Sequence, residues 1–412
     1  MNEGEGDELS LAGRTVGTDA WQLVVPAAVS QSSPLLVVPT VHPRGDRRIV
    51  RCAQVALEAG FRVHFIWLGD GEASNDPAVS ETILPSPRNA RERIGLVKAV
   101  ARAARPLPAV LWHIHDYYFL AAARRWQRKS GKAVLYDVHE YYASYYSEKL
   151  PIPSVFRRAV AKALEWYQVT MAKKLGGANV VTEKMAESFR AAGVPVSVSP
   201  NFPLLAQFRG LPAADFESRR WNVVHIGTLS REYGTELLVR LATRSAERSL
   251  PFTFHVIARY PSPDHQADFE QLLAAASSPA NVRLVPTRPT HEMPALLSDM
   301  GYGLSLLMPD GQNESAVPSK NYEYAMAGLV DVVTDRRAQR AFAESFAVGI
   351  SGHGGDPDLM LDQMMKLADE STETGSRLKD RAEQAQREFT WELAVQPGLS
   401  KMFVRLASHT DG

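Results

Sequence analysis

Two residues one helical turn apart, Lys320 and Glu323, have the types and spacing to hold a charged ligand. Residues 317–334 read VPSKNYEYAMAGLVDVVT, and this pattern predicts a short helix after Pro318 with Ser319 as its N-cap. A helix N-terminus offers unpaired N–H groups and a partial positive charge to a phosphate, and Lys320 adds a full charge. The carboxylate of Glu323 can accept from two adjacent hydroxyls. A diphosphate beside a vicinal diol describes a nucleoside diphosphate with its ribose.

The residues after this short helix predict the strand of a sheet. Gly328 stands where the helix should stop, and residues 329–334 are rich in β-branched side chains. Lys320 and Glu323 are therefore expected on a helix that packs against a sheet.

Histidines and acids follow two predicted strands in the first half of the chain. Residues 109–113 and 133–136 are apolar runs typical of buried strands, and they lead into HIHD and DVHE. Ligands of open α/β sheets bind beyond the carboxyl ends of the strands, so both clusters should face one cleft. The candidate residues there are His113, His115, Asp116, His139 and Glu140. A structural role is the alternative for each.

A metal ion is one alternative for these clusters, because histidine and carboxylate side chains are common ligands. The chain has no H-E-x-x-H motif and a single cysteine, Cys52. We therefore expect no metal site.

The first strand and the helix after it predict the start of a doubly wound sheet. Residues 35–38 form an apolar run, residues 49–59 an amphipathic helix, and residues 62–67 a second strand. Asp46 and Arg47 lie in the loop after the first strand, where they either approach a ligand or form a solvated turn.

The second half of the chain begins with a similar pattern. Residues 221–226 predict a strand, and Gly227 and Thr228 begin the turn after it. Arg231 lies further along this turn, and Arg259 follows the next predicted strand. Arginine suits bidentate phosphate contacts, so both are candidates to bind the diphosphate.

Several of these motifs resemble those of family 4 glycosyltransferases, which are retaining enzymes of the GT-B fold. PSKNYEYAMAG is similar to the family signature P-S-K-x-x-E-Y-M-A-x-G. GDRRIVRCAQVALEAGFRVHFI resembles the opening unit, and the two histidine-and-acid clusters resemble the wall of the cleft in the first domain. The resemblance implies that Glu323 holds the donor ribose and that His139 contacts the transferred sugar. It also implies retention of configuration without a metal.

The chain departs from the family pattern at two positions where the family binds the diphosphate of the donor. The family often places an arginine and a lysine where this chain has Thr228 and Tyr233. Arg231 lies between them and is the candidate replacement.

Length and composition fit two large α/β domains. The chain has 412 residues, a formal net charge of +0 and 22% charged residues, which is typical of a globular protein without a bulk preference for nucleic acid. No basic segment precedes an apolar core at the N-terminus, and no apolar run is long enough to span a membrane. We expect a cytoplasmic protein, with peripheral contact at the inner face of the membrane left open.

The predicted architecture is α/β, with two Rossmann-like doubly wound parallel-sheet domains of GT-B type facing a cleft. The predicted divisions are a flexible segment 1–32, an acceptor domain 33–205, a nucleotide-sugar domain 206–386, and a helix 387–412 that crosses back to the first domain.

The predicted activity is that of a hexosyltransferase of class EC 2.4. It would move a sugar from a nucleoside-diphosphate sugar to a glycan or lipid-linked acceptor in polysaccharide biosynthesis, with no further cofactor. Two alternatives stay open: a catalytically silent nucleotide-sugar-binding subunit, and a sugar-nucleotide epimerase that would need carboxylates such as Asp116 and Glu140. The basic helix predicted at residues 156–175 either lies on an anionic membrane or presents an ordinary solvated face.

Overall fold

The chain forms two compact units in a computed structural model. The first unit contains Met1–Asn201 and Val395–Gly412, and the second contains Phe202–Ala394. The residues that the structure describes are 13–18, 21–87, 90–139, 153–211, 215–276, 280–309, 313–314, 316–345 and 348–408.

A two-stranded antiparallel hairpin opens the described part of the first unit. Strand β1 (Gly13–Thr18) pairs with β2 (Trp21–Pro26), and the burial of β2 alternates. Trp21, Leu23 and Val25 are buried, and the Trp21 ring lies 5.5 Å from that of Trp67. The prediction of a flexible segment 1–32 is therefore wrong for this hairpin. Its alternating apolar residues give it a face to bury.

Seven parallel strands form the sheet of the first unit. In chain order they are β3 (Leu35–Pro43), β4 (Arg62–Leu68), β5 (Val79–Leu84), β6 (Leu111–Ile114), β7 (Ala133–Val138), β8 (Gly176–Val180) and β9 (Val196–Val198). Their spatial order is β5-β4-β3-β6-β7-β8-β9. The chain therefore starts at β3, builds outward in one direction, and then returns to build in the other from β6. This is the order of a doubly wound sheet.

The helices of the first unit connect these strands and cover the sheet. They are α1 (Arg47–Glu58), α2 (Ala90–Ala104), α3 (Leu120–Ser130), α4 (Ser154–Leu175) and α5 (Glu183–Ala191). Helix α1 begins at its N-cap Asp46, whose side chain accepts hydrogen bonds from the backbone N–H groups of Arg48 and Ile49.

Six parallel strands form the sheet of the second unit. They are β10 (Asn222–Thr228), β11 (Thr253–Arg259), β12 (Val282–Leu284), β13 (Tyr302–Ser305), β14 (Val330–Thr334) and β15 (Ile350–Gly352). Their spatial order is β12-β11-β10-β13-β14-β15, the same winding as in the first sheet. The prediction of two doubly wound parallel sheets is confirmed.

The second unit has eight α-helices among its described residues. They are α6 (Phe216–Arg219), α7 (Thr235–Glu247), α8 (Pro263–Ala275), α9 (Met293–Ser298), α10 (Ser319–Met326), α11 (Arg337–Ser345), α12 (Pro357–Asp369) and α13 (Ser371–Glu388). The last helix, α14 (Gln396–Ser408), belongs to the first unit. The predicted single helix 387–412 is corrected: α13 ends at Glu388, and a π-helical turn, Trp391–Val395, precedes α14.

None of the described helices is both long enough and apolar enough to cross a membrane.

The contribution of the buried face of the hairpin to stability can be tested by mutation. We expect Trp21→Ala to lower the free energy of unfolding by about 3 kcal/mol, because a buried aromatic side chain is lost from a packed site. Val24→Ala is the matched control, since Val24 lies on the opposite face of the same strand and is 46% exposed. Chemical denaturation of both variants measures the difference. Equal small effects would mean that the hairpin contributes nothing to stability.

Candidate functional site

The winding of each sheet creates one place where polar groups from different strands meet. The order reverses between β3 and β6 in the first unit and between β10 and β13 in the second. Loops from the carboxyl ends of these strands diverge at such a point and leave a crevice for a ligand. The predicted site residues are distributed around these two switch points.

In the first unit, the fully buried carboxylate of Asp137 at the end of β7 organises the site. Arg48 donates to its Oδ1 from Nε at 3.0 Å and from Nη2 at 2.9 Å, and Asn179 donates to its Oδ2 at 2.7 Å. Burial opposes ionisation, but Arg48 and the neighbouring polar groups hold the pKa of Asp137 well below its usual value. Asp137 is therefore an ionised carboxylate at neutral pH.

Three histidines surround this carboxylate. The Nε2 atoms of His113 and His139 lie 3.3 and 3.4 Å from Asp137 oxygens, and Nδ1 of His115 lies 4.0 Å away. His115 Nδ1 and His139 Nε2 are 2.7 Å apart, so one donates a hydrogen bond to the other. The structure thus brings the two predicted clusters together around one residue.

Two of the three histidines, His115 and His139, are uncharged at neutral pH. Burial lowers the pKa of His139 to about 4, and the positive charges of Arg48 and His42 add to this effect against the carboxylate of Asp137. Burial also holds the pKa of His115 well below its usual value. A neutral His139 can donate or accept a hydrogen bond but adds no charge to a bound sugar.

His42, unlike His115 and His139, is positively charged at neutral pH. Its Nδ1 lies 3.5 Å from Asp46 and its Nε2 lies 3.4 Å from Asp116. Burial opposes protonation, but these two carboxylates together raise the pKa of His42 to about 10. The end of β3 is therefore joined to the residue after β6 by a charged imidazole, whose ring centroid lies 5.2 Å from that of His139.

The remaining predicted residues of this unit have separate places. Asp46 caps α1, Arg47 is exposed, and Asp116 is buried beside His42. Glu140 lies outside the described residues, as does the tyrosine-rich stretch that follows it.

Two sets of side chains in the first unit have the spacing of metal ligands. They are His115, Asp137 and His139, and Cys52, His113 and Asp137, each with ligand atoms within 4.8 Å of one another. Arg48 already neutralises the single carboxylate that both sets share. A second cation beside the guanidinium would be repelled, so the residues fit a hydrogen-bonded cluster better than a metal ion.

Helix α10 carries Ser319, Lys320 and Glu323, the residues predicted to bind a donor. It begins at Ser319, with Pro318 in the N-cap position, so the prediction of Ser319 as the N-cap is wrong by one residue. Pro318 is extended (φ −58°, ψ 149°), a conformation that its ring favours just before a helix. Lys320 is buried in the first turn and Glu323 is half-buried. Burial lowers the pKa of Lys320 to about 8, against the opposing effect of Glu323.

Tyr324 fixes α10 against both strands of the switch point. Its hydroxyl accepts from Ile226 N at 3.3 Å and donates to the carbonyl of Leu304 at 3.3 Å. Gly303 lies directly against its ring, and a Cβ there would come within 2.3 Å of a ring carbon. A glycine is thus required for α10 to approach the sheet. Asn321 adds a further anchor by accepting from Ser305 Oγ at 2.9 Å.

Gly227, Thr228 and Arg259 end two neighbouring strands of the same sheet. Thr228 pairs in register with Arg259, and Gly227 has a φ of +104° with open space where a Cβ would stand. The exposed side chains of Arg231 and Arg259 form no hydrogen bond or ion pair with any described residue. Both are therefore available to an anion. Arg231 itself lines a groove of about 490 Å³ with His265 and Asp268.

Several residues of these sites were missed in the sequence. Asp137 was passed over although it precedes His139 by two positions. Arg48 lies in the predicted loop after the first strand, but its pairing with Asp137 could not be predicted from the local sequence. His42 stands four residues before Asp46, and this spacing could have predicted that the two side chains interact. His225 is fully buried in β10, and burial together with the charge of Lys320 holds its pKa well below its usual value.

Comparison with known proteins bears on both units. Residues 45–202 match the family Glycosyltransferase Family 4. The family 4 resemblance is confirmed. The search of curated proteins finds no match.

Solved structures with a similar fold cover nearly the whole chain. Sucrose-phosphate synthase from Thermosynechococcus elongatus is 13% identical, with a TM-score of 0.70 over 91% of this chain and 99% of its own. HepE from Anabaena, in complex with UDP and glucose, is 12% identical, with a TM-score of 0.65 over 92% and 100%. A UDP-forming α,α-trehalose-phosphate synthase from Burkholderia vietnamiensis is 15% identical, with a TM-score of 0.61 over 92% and 100%. These glycosyltransferases share the GT-B fold, which is confirmed for this chain.

The pKa of His42 predicts a dependence of stability on pH. A pKa raised from 6.5 to about 10 gives a stabilisation that is present below pH 6.5 and is lost as pH rises through about 10. We expect the unfolding free energy of the native protein to exceed that of His42→Gln by roughly 2 kcal/mol more at pH 6.5 than at pH 10, allowing for partial solvent screening. Urea titrations of both proteins across this range measure it. A constant difference would show that His42 is not a charged partner of Asp46 and Asp116.

The buried charge of Lys320 predicts opposite effects on stability and on binding. A lysine whose pKa falls from 10.5 to about 8 destabilises the folded protein at neutral pH, and stability should rise as pH rises through this interval. We expect Lys320→Met to raise the free energy of unfolding by roughly 1–3 kcal/mol and to weaken nucleoside-diphosphate binding.

Denaturation and calorimetry measure these two effects. Arg231→Met is the control for stability, because the exposed Arg231 should change it by less than about 0.5 kcal/mol. A destabilised Lys320→Met that binds the diphosphate normally would contradict the assignment.

Proposed function

We propose that the chain transfers a hexose from a nucleoside-diphosphate sugar to an acceptor, as a glycosyltransferase of class EC 2.4. The observation that carries the proposal is Lys320, a buried lysine in the first turn of α10, with Glu323 one turn further along. Burying a lysine without a tight ion pair costs stability, so an anionic ligand at this helix N-terminus explains why it is there.

A uridine nucleotide is the proposed donor base. HepE was solved with UDP and glucose, and the trehalose-phosphate synthase is UDP-forming. The shared fold over nearly the whole chain supports a similar donor here. Glu323 is assigned to the ribose hydroxyls, and Lys320 and Ser319 to the diphosphate.

The main chemical task is departure of the nucleoside diphosphate from the anomeric carbon. Preorganised cations and a helix dipole stabilise the charge that develops on the leaving oxygen. Lys320 lies at the start of α10, and the exposed side chains of Arg231 and Arg259 supply further positive charge where Thr228 and Tyr233 supply none.

His139 is assigned to the transferred sugar as a neutral hydrogen-bonding group. We further infer retention of configuration without a metal. The support is that Asp137, the carboxylate nearest His139, is fully buried and held by Arg48 and Asn179, so it is not available as a nucleophile. A front-face reaction, in which the leaving phosphate accepts the proton of the acceptor, needs no such carboxylate.

A glycan or a lipid-linked sugar is the proposed acceptor, with peripheral contact at the membrane. Asp46, Asp116 and His115 would shape the acceptor side of the first unit. A silent nucleotide-sugar-binding subunit is the second candidate, and Thr228 and Tyr233 in place of cations favour it.

Release of nucleoside diphosphate from a panel of sugar nucleotides tests the proposal. We expect turnover with at least one UDP-hexose, and Glu323→Ala should lower kcat/KM by about 100-fold or more, because a ribose contact made in the buried site is lost. Glu373→Ala is the matched control, since Glu373 is an exposed glutamate in the first turn of α13 in the same unit. Tight donor binding without turnover on any acceptor would favour the silent subunit instead.

A further inference from the structure

We propose that the solvent face of helix α4 docks the first unit on an anionic lipid bilayer. This inference rests on the proposed function, for which it names the surface that would meet a lipid-linked acceptor.

Large apolar side chains stand in solvent on this helix. Trp166 is 69% exposed, Phe156 is 61% exposed and Val160 is 43% exposed. Trp166 and Phe156 are the two most exposed large hydrophobic residues in the described part of the chain. The opposite side of α4 faces the core of the unit. Its buried residues are Ala161, Met171, Ala172 and Leu175. The exposed residues are therefore not a displaced core face, and they cost solubility unless something covers them.

The charge around this face is strongly positive. Helix α4 carries five basic residues and one acid, Glu165, and the adjacent α3 carries four basic residues and no acid. The two helices are in contact, because Arg124 and Gln127 of α3 donate to the last carbonyls of α4 at 3.3 and 3.1 Å. Together they hold a net charge of +8, although the whole chain has a net charge of +0. The rest of the chain therefore has a net charge of −8, with 37 basic and 45 acidic residues.

The topology brings one end of α4 to the site. Strands β7 and β8 are parallel, so the chain between them must return from the carboxyl edge of the sheet to its amino edge. Helix α4 makes this return. Its first turn, with Phe156, therefore lies toward the edge where β7 ends and His139 follows. A sugar on a lipid headgroup would reach the first unit from that side.

An anionic bilayer fits this combination better than a nucleic acid or an acidic protein. A bilayer surface attracts lysine and arginine by about 1 kcal/mol each and accepts tryptophan and phenylalanine at the headgroup boundary. A polyanion in solution would use the cations and leave Trp166 and Phe156 in water.

Trp166 is also the natural probe. All seven tryptophans lie in the described part of the chain, and Trp166 alone among them is exposed. The full-length protein is mixed with phosphatidylcholine vesicles, with and without phosphatidylglycerol, that contain brominated acyl chains. We expect quenching and co-sedimentation with the anionic vesicles only, both of which weaken as salt rises.

Variants separate the apolar and the charged contributions. Lys162→Gln and Lys173→Gln should each weaken vesicle binding about fivefold, and Trp166→Ala should abolish the quenching and weaken co-sedimentation. Val404→Gln and Lys401→Gln on α14 are the matched controls, because both residues are exposed on another helix of the same unit. Equal binding to neutral and anionic vesicles, or no binding to either, would overturn the proposal. Binding to a soluble polyanion with Trp166 unquenched by lipid would reassign the surface to a different partner.

The test is independent of the donor chemistry. Vesicle binding is measured without nucleotide, and release of nucleoside diphosphate from the donor is measured without vesicles. Trp166→Ala that keeps donor turnover but loses vesicle binding supports docking. A chain that binds vesicles but turns over no donor would retain the docking surface and lose the proposed function.

Discussion

The buried ion pair between Arg48 and Asp137 is the interaction on which the first unit depends. It joins α1 to the end of β7, and Arg48 also donates to the carbonyl of Ser199 at 2.7 Å and to the side chain of Asn201 at 3.0 Å. Burying two charges costs several kcal/mol for each ion unless further hydrogen bonds satisfy them. Here they do, and the result is a fixed anionic centre around which three histidines are held.

The second unit contains a similar pair with a different consequence. Asp331 of β14 is buried against Arg381 of α13. Burial raises the pKa of Asp331 to about 6 despite Arg381, whereas the pKa of Asp137 is held low. The two pKa values differ because Asp137 accepts more hydrogen bonds than Asp331. In addition to Arg48, Asn179 donates to Asp137, and three histidines lie beside it. One pair supports a polar site, and the other fastens a helix to the sheet.

The two sites use charge in opposite ways. The first unit neutralises its central carboxylate and keeps His115 and His139 uncharged, which suits recognition of hydroxyl groups. The second unit leaves Lys320 buried without a close salt bridge among its described neighbours and leaves Arg231 and Arg259 exposed. Positive charge that is not neutralised within the protein is what a diphosphate requires. The electrostatics of the two units are therefore consistent with the proposed roles, in which the first unit binds the sugar and the second binds the diphosphate.

The sequence by itself determined the elements and the class of fold. Apolar runs at 35–38, 62–67, 109–113 and 133–136 predicted strands because a buried parallel strand must be apolar on both faces. Gly328 and Pro318 bounded α10 because each restricts the backbone in its own way. The β1–β2 hairpin was missed because its polar and glycine-rich surroundings outweighed a short alternating pattern.

Only the tertiary structure decided the grouping of the site residues. Arg48 and Asp137 are 89 positions apart, and their pairing depends on the fold bringing the start of α1 to the end of β7, which no local pattern contains. The same holds for His42, whose pKa is raised by Asp46 and by the distant Asp116 after β6, and for Tyr324, which needs Gly303 against its ring. Residue types and spacing fix what a short segment can do. Long-range packing fixes which segments meet and therefore which charges are shared.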